Sequence, residues 1–437
     1  MIRTPMIAVQ IIATGPDRRR PGCPPMPTSG GQMPVTPSPF HIAVVGGGIG
    51  GLAAALATAR AGHRVTLVER AARFAEIGAG LQLAPNASLA LDALGVLPAV
   101  RHHAVTPPRL VMMDALTGGE VTALDLRSTA YTDRFAHPYL VTHRTDLHAA
   151  LLAACQEHLG VTLHTGHTVT EAEQHGSGVH LHFAEGHVRL TADAVVAADG
   201  LHSRLRQTLV GDGEPVCSRY VAFRGALPTE KMSGRMSQLA ASEAVMVWAG
   251  PRMHLVQYPV RRGELYNQVA VFESDHYTPD SDDWGTEAEL EERFGGTCEA
   301  VRDALSLVSR DRRWPLFDRA PIDTWVHGRI ALLGDAAHPM LQYLAQGACQ
   351  ALEDAVALGE ALGRHPDDPA DAFTAYADRR TARAARIQTN ARRFGEICHL
   401  EGMGATLRNT LLASRGPEAF DDISWVWTPA PAPAPAL

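Results

Sequence analysis

Three glycines and one acid pose the first chemical question of this chain. Gly46, Gly48 and Gly51 fall in the string Gly46-Gly47-Gly48-Ile49-Gly50-Gly51, and Glu69 closes the next apolar run. In that spacing the first glycine suits a tight turn, the second lets backbone approach a pyrophosphate, and the third lets a helix pack closely on a strand. A carboxylate roughly twenty residues on can accept hydrogen bonds from a ribose diol. Further along, His254 and Tyr258 stand four residues apart in a run of alternating character, which puts both side chains on one face of a strand. Side by side, an imidazole and a phenol could hold and deprotonate a phenolic ligand, because imidazole titrates near neutral pH. The same pair also reads as a packed strand histidine beside a packing tyrosine. Asp335 offers an acid for a hydroxyl, and the backbone N–H groups at Gly347 and Ala348 open a helical run whose start favours negative charge.

These groups need elements to hold them. His41 to Val45 is short and β-branched, as a buried parallel strand should be; Leu52 to Ala61 is alanine-rich and helical; Arg64 to Glu69 is a second strand. The order strand, glycine turn, helix, strand, acid makes the glycine string a dinucleotide-binding fingerprint with the phosphates on the helix N-terminus. A second strand-like run, Ala194 to Ala198, ends in Asp199-Gly200 with Ser203 and Arg206 behind it, and reads equally well as a strand ending in a plain turn. A third, Arg329 to Leu333, ends in Gly334-Asp335-Ala336-Ala337-His338-Pro339. In the helix from Gly347, apolar positions 348, 351, 352, 355 and 358 keep helical spacing, so most of it is core. Between the second and third motifs, the runs from Tyr220, Val245, His254 and Leu265 alternate with period two and predict antiparallel strands.

At 437 residues the chain has room for two domains or one large one with an inserted layer. A net charge of −8 without blocks of like charge argues against nucleic acid and anionic membrane as partners. Six scattered cysteines without CxxC spacing fit reduced thiols in a cytoplasm rather than zinc or disulfides. Residues 1–39, rich in Pro, Gly, Ser and Thr, are expected to be a disordered extension, with Met33 just ahead of the first strand as another possible start. The apolar stretch Met6 to Ala13 is too short to span a bilayer and no transmembrane run follows. Residues 416–437, ending in Pro-Ala alternation, are expected to be a flexible tail. Arginines 379, 380, 383, 386, 392 and 393 crowd the last long helix, and the expectation is a solvated or subunit-facing surface.

In their order, the glycine fingerprint, DGxxSxxR and GDAAHP resemble the motifs of the group A flavoprotein aromatic hydroxylases, over roughly residues 40–400. Within that group, His254-xxx-Tyr258 and the string Pro339 to Gly347 are similar to those of the 3-hydroxybenzoate 6-hydroxylases. The resemblance implies an α/β fold: a Rossmann-like FAD-binding domain (the para-hydroxybenzoate hydroxylase fold) with an interleaved antiparallel-sheet substrate domain and a C-terminal helical segment. The implied boundaries are 40–215 with 316–365 for FAD, part of the substrate layer inserted near 105–140, 216–315 for the substrate sheet and 366–415 for the helices. The implied cofactors are FAD and NADH or NADPH, the latter bound transiently because no second fingerprint exists. The implied partners are a small aromatic substrate, O2 and a second copy of the chain.

The implied reaction is oxygen transfer from a C4a-hydroperoxyflavin to 3-hydroxybenzoate at position 6, giving gentisate; salicylate 1-hydroxylation or another phenolic substrate is the alternative. Residue by residue, the resemblance places Arg144 and Gln82 against the flavin. It puts Asp199 near the pyrophosphate and ties it to NAD(P)H use. His254 becomes the base for the phenol, Gln342 orients the ring and Tyr258 assists.

Overall fold

The computed structural model describes residues 39–429 apart from 76–77, 187–188, 280 and 282. The expected N-terminal extension, up to residue 38, and the last eight residues lie outside that range.

The β-branched run His41–Val45 is a fully flanked strand of a six-stranded sheet. In order across the sheet come Val326–His327, Ile330–Leu332, Ala194–Ala197, His41–Val45, Arg64–Glu69 and Val161–Thr165. All neighbours are parallel except the first pair. The strands that precede the three sequence motifs are therefore adjacent and run the same way, so their C-terminal ends emerge at one edge. In open parallel sheets that edge is where ligands bind.

Two glycines of the fingerprint are required by contact. Gly46 has φ of +105°, and a Cβ on Gly51 would lie 1.9 Å from the Gly46 carbonyl oxygen. Backbone packs directly on backbone there, and any side chain would push the helix off the turn. The helix Ile49–Arg60 that follows is almost wholly buried, and it packs on the helix Gly347–Arg364 with Gly359 against Ala57. Small residues on both helices permit that approach, which brings the two N-termini together.

The second sheet has seven strands, in the order Arg313–Asp318, Val216–Pro228, Leu265–Glu273, Met253–Val260, Val245–Gly250, Arg109–Asp114 and Glu120–Asp125. The runs expected to be antiparallel strands form its centre, with His254 opposite Val271 and Tyr258 opposite Asn267. Two strands from residues 109–125 and the edge strand Arg313–Asp318 complete it, and one pairing, Val245–Gly250 with Arg109–Asp114, is parallel. Alternation divides the faces. Leu255, Tyr266, Ala270 and Phe272 pack with Leu290 and Phe294 of the helix Glu287–Phe294 in one core. His254, Val256, Tyr258 and Val269 face the cavity described below.

Two expectations are corrected. The arginines of the helix Pro369–Cys398 divide: Arg380 is 2 % exposed and binds Asp354 at 2.7 Å and Glu353 at 2.5 Å, and Arg383 binds Glu353, whereas Arg386, Arg392 and Arg393 are exposed to solvent. Arg380 and Arg383 turn inward because their acids, Glu353 and Asp354, sit on the neighbouring helix, out of reach of a local sequence pattern. Nor is the chain flexible throughout 416–437. Asp421–Trp427 is a helix, and Phe420 and Trp427 are buried against Tyr131, Phe135 and Tyr139. Large aromatic rings supply enough apolar area to dock so short a helix.

Candidate active site

The three strand ends and the cavity face of the second sheet enclose one cleft of about 830 Å³. Gly48, Ile49 and Gly50 from the first motif, Gly200 from the second, and Gly334, Asp335, Gly347 and Ala348 from the third all line it. So do Gln82, Arg144, His254, Tyr258 and Gln342. Nine of the thirteen residues singled out in the sequence thus meet at one place.

The other four stand behind it. Gly46 and Gly51 shape the turn. Glu69 accepts the Gly47 N–H at 2.7 Å and the Ala71 N–H at 2.8 Å, holding the glycine turn against the second strand. Asp199 lies just behind the cleft wall. One carboxylate oxygen accepts the N–H groups of Arg204 and Leu205, so the side chain caps the helix Arg204–Leu209 while its neighbours Ala198 and Gly200 face the cleft. Its other oxygen, Oδ1, is buried without a partner, and burial raises the carboxyl pKa.

The rest of DGxxSxxR is also structural. Ser203 accepts the Arg206 N–H, and the fully buried Arg206 guanidinium binds Asp212 and the carbonyls of Ala336 and Ala337. This ties the second motif to the third. The third is tied in turn to its helix, because Asp354 accepts from Gly334 N–H, from His338 at 2.6 Å and from Arg380. These charged partners hold the Asp354 pKa down at about 2 against the opposing effect of burial.

The cleft's chemistry fits FAD. The helices Ile49–Arg60 and Gly347–Arg364 both begin at its wall, and neither N-terminus has a side-chain cap. Their orphan N–H groups and positive dipole ends call for anions, here a pyrophosphate at the first and the electron-rich pyrimidine edge of a flavin at the second. Asp335 stands beside the second N-terminus, in place for a polyol hydroxyl.

At the sheet side, Gln342 accepts from Arg224 Nη2 at 2.7 Å. Arg224 was not singled out in the sequence. Its Nε is buried without a partner, and burial followed by the neighbouring Arg144 charge lowers its pKa. An arginine on the buried strand between Phe223 and Gly225, with no acid nearby in sequence, was the signal available. Tyr139, which donates to Gln82 at 2.7 Å, was missed as well. Tyr258 is 3 % exposed and burial raises its pKa, with Arg224 opposing. His254, 3 % exposed, is held neutral by burial, with its pKa lowered to about 3.

The FAD binding domain family matches residues 40–391. The 3-hydroxybenzoate 6-hydroxylase of Polaromonas naphthalenivorans (strain CJ2) is 40 % identical over 396 residues, 90 % of this chain and 97 % of the relative. The chain belongs to this family of FAD-dependent aromatic hydroxylases. A 3-hydroxybenzoate 6-hydroxylase of Klebsiella oxytoca is 40 % identical over 88 % of this chain and 95 % of its own length. Among solved structures, a salicylate hydroxylase substrate complex aligns with TM-score 0.73 at 29 % identity, covering 89 % of this chain and 95 % of that one. Klebsiella pneumoniae HpxO complexed with FAD and uric acid aligns with TM-score 0.78 at 25 % identity, covering 89 % and 96 %. Among the described residues no helix is long and apolar enough to cross a membrane.

Proposed function

We propose that this hydroxylase uses NAD(P)H and O2 to hydroxylate 3-hydroxybenzoate at position 6, giving gentisate in a reducing cytoplasm. The observation that carries the proposal is the sheet end of the cleft, where a neutral histidine, a tyrosine and an Arg–Gln pair line the same space as the flavin motifs. Reduced FAD, with O2, supplies an electrophilic oxygen; the protein must make the ring nucleophilic and place the right carbon. Arg224, lowered in pKa by burial and by Arg144, gains from any anion placed against it. A benzoate carboxylate supplies that anion, and the Arg224–Gln342 pair presents donors to hold it. His254 Nε2 accepts the phenolic proton, and Tyr258 steadies the resulting oxygen. A phenolate oxygen at ring position 3 activates the para carbon, which is position 6. The mostly apolar wall, with Leu81, Val256, Val269 and Leu341, keeps water from competing for the oxidant.

The test is a panel of the three monohydroxybenzoates, scoring NADH consumption and products together. The expected result is that 3-hydroxybenzoate stimulates NADH oxidation with gentisate formed in matching amount. Catechol from salicylate, with no product from 3-hydroxybenzoate, would replace this reading by 1-hydroxylation of salicylate.

A further inference from the structure

His254 makes a second contact that faces away from the cleft: its Nδ1 lies 2.8 Å from Nε2 of His399. The two ring centroids are 5.0 Å apart and the planes differ by 28°. That spacing matches the hydrogen bond plus two ring radii, so the contact runs edge to edge rather than face to face. His399 sits at the C-cap of the helix Pro369–Cys398 and is 6 % exposed. It does not line the large cleft. It lines a second pocket of about 250 Å³ beyond it, with Tyr220, Asp318, Arg392 and Glu396. The Arg392 side chain is 51 % exposed, so this outer pocket opens to solvent. Tyr220 stacks on the His399 ring at 4.6 Å, and Tyr343 packs against both histidines. Leu341 and Tyr343 border both cavities, and between them the histidine pair bridges the cleft to the outer pocket, with His254 on one side and His399 on the other.

We infer that His399 is a positioning residue that relays the substrate's phenolic proton from His254 to the outer pocket. This rests on the phenol-hydroxylating reading above. In the resting pair His254 carries its proton on Nδ1 and donates to His399 Nε2, and His399 carries its own on Nδ1. The phenolic O–H bond breaks and its proton goes to His254 Nε2. His254 Nδ1–H passes to His399 Nε2, and His399 Nδ1–H passes to water in the outer pocket. Both rings start and finish neutral, one proton leaves, and the phenolate keeps the electron pair. Returning a proton along the same path to the product's phenolate restores the first arrangement. Burial explains why a relay is needed: His254 in isolation is a poor resting place for a proton, and a shuttle spares the cleft a buried imidazolium. The transfer between the two rings spans 2.8 Å, a hydrogen-bond distance, as general acid–base steps require.

The test compares the intact protein with His399→Ala and His399→Gln, all loaded with FAD. Bound-phenolate absorbance is followed after rapid mixing with 3-hydroxybenzoate, alongside coupled gentisate formation. Both variants should keep FAD and bind 3-hydroxybenzoate, while phenolate formation slows roughly tenfold or more. Imidazole in the buffer should restore the rate in His399→Ala, where it can enter from the outer pocket, and should not do so in His399→Gln, whose side chain fills that space. Phenolate formation within twofold of the unmodified protein in both variants overturns the relay, as does a loss that imidazole leaves unchanged in His399→Ala. If the unmodified protein itself neither ionises nor hydroxylates 3-hydroxybenzoate, the substrate reading fails instead.

Discussion

His254 and Arg224 divide the work at the sheet end of the cleft, and each makes a separable prediction. Removing the base leaves the flavin cradle untouched, so His254→Ala should purify yellow with normal FAD content while coupled hydroxylation falls about a hundredfold or more. Normal hydroxylation by that variant would show that His254 is only a packing residue. Arg224→Gln removes the charge held against Gln342, and the KM for 3-hydroxybenzoate should rise roughly tenfold to a hundredfold, the cost of about 1.5–3 kcal/mol for a charge-assisted hydrogen bond. Lysine should restore little, because a point charge cannot reproduce the guanidinium fork.

The histidine pair also carries a pH signature. Burial lowers both pKa values, to about 3 for His254 and about 2 for His399. A folded pKa below the unfolded value near 6.5 means that the unfolded chain binds the extra protons, so this contribution to stability is complete above pH 6.5 and is lost as pH falls toward the folded values. At pH 5 each histidine should cost about 2 kcal/mol relative to pH 7.5. Melting curves should therefore show the stability advantage of the unmodified protein over His399→Gln shrinking between those pH values; an advantage that grows on acidification would contradict the assignment.

Among the elements, the helices Gly347–Arg364 and Pro369–Cys398 are joined by charge in their interior. Arg380 bridges Glu353 and Asp354, and Asp354 in turn orients His338 and the Gly334 N–H at the cleft wall. Arg380→Ala leaves two buried carboxylates short of their partner and should destabilise the fold by about 3–5 kcal/mol, with FAD retention reduced as well. Thermal melting with and without added FAD checks this, and a variant as stable as the parent would show the network to be dispensable. The helical period from Gly347 onward was legible in the sequence, since a run of small and apolar residues has only one good way to pack. The partners of the arginines were not, because an ion pair between residues 26 positions apart leaves no local pattern.

For the whole molecule, the short helix Asp421–Trp427 connects the C-terminus to the cleft: Trp425, Val426 and Trp427 all line it. Arg383 donates to the carbonyls of Trp425 and Val426, and Arg386 lies 4.0 Å over the Trp425 ring. A chain ending at residue 415 should still fold its two large sheets but lose that wall. FAD should bind more weakly, and hydrogen peroxide should form at the expense of gentisate as water gains access. Equal coupling in the shortened chain would show that the helix only packs.

The sequence by itself determined the strand–turn–helix units, because glycine spacing, β-branched runs and helical periodicity are local consequences of backbone sterics, and its three motifs in order carried the resemblance to a flavin family. It also determined that His254 and Tyr258 share a face, since a strand alternates with period two. Only the tertiary structure decided what those faces meet. Parallel neighbours bring three turns from residues 46, 199 and 334 to one edge, packing of the short turn Gln342–Leu344 on the second sheet sets Gln342 against Arg224, and the end of a distant helix brings His399 to His254. Contacts of that kind depend on how surfaces fit across long loops, and the residues involved carry no mark of it in their own neighbourhood.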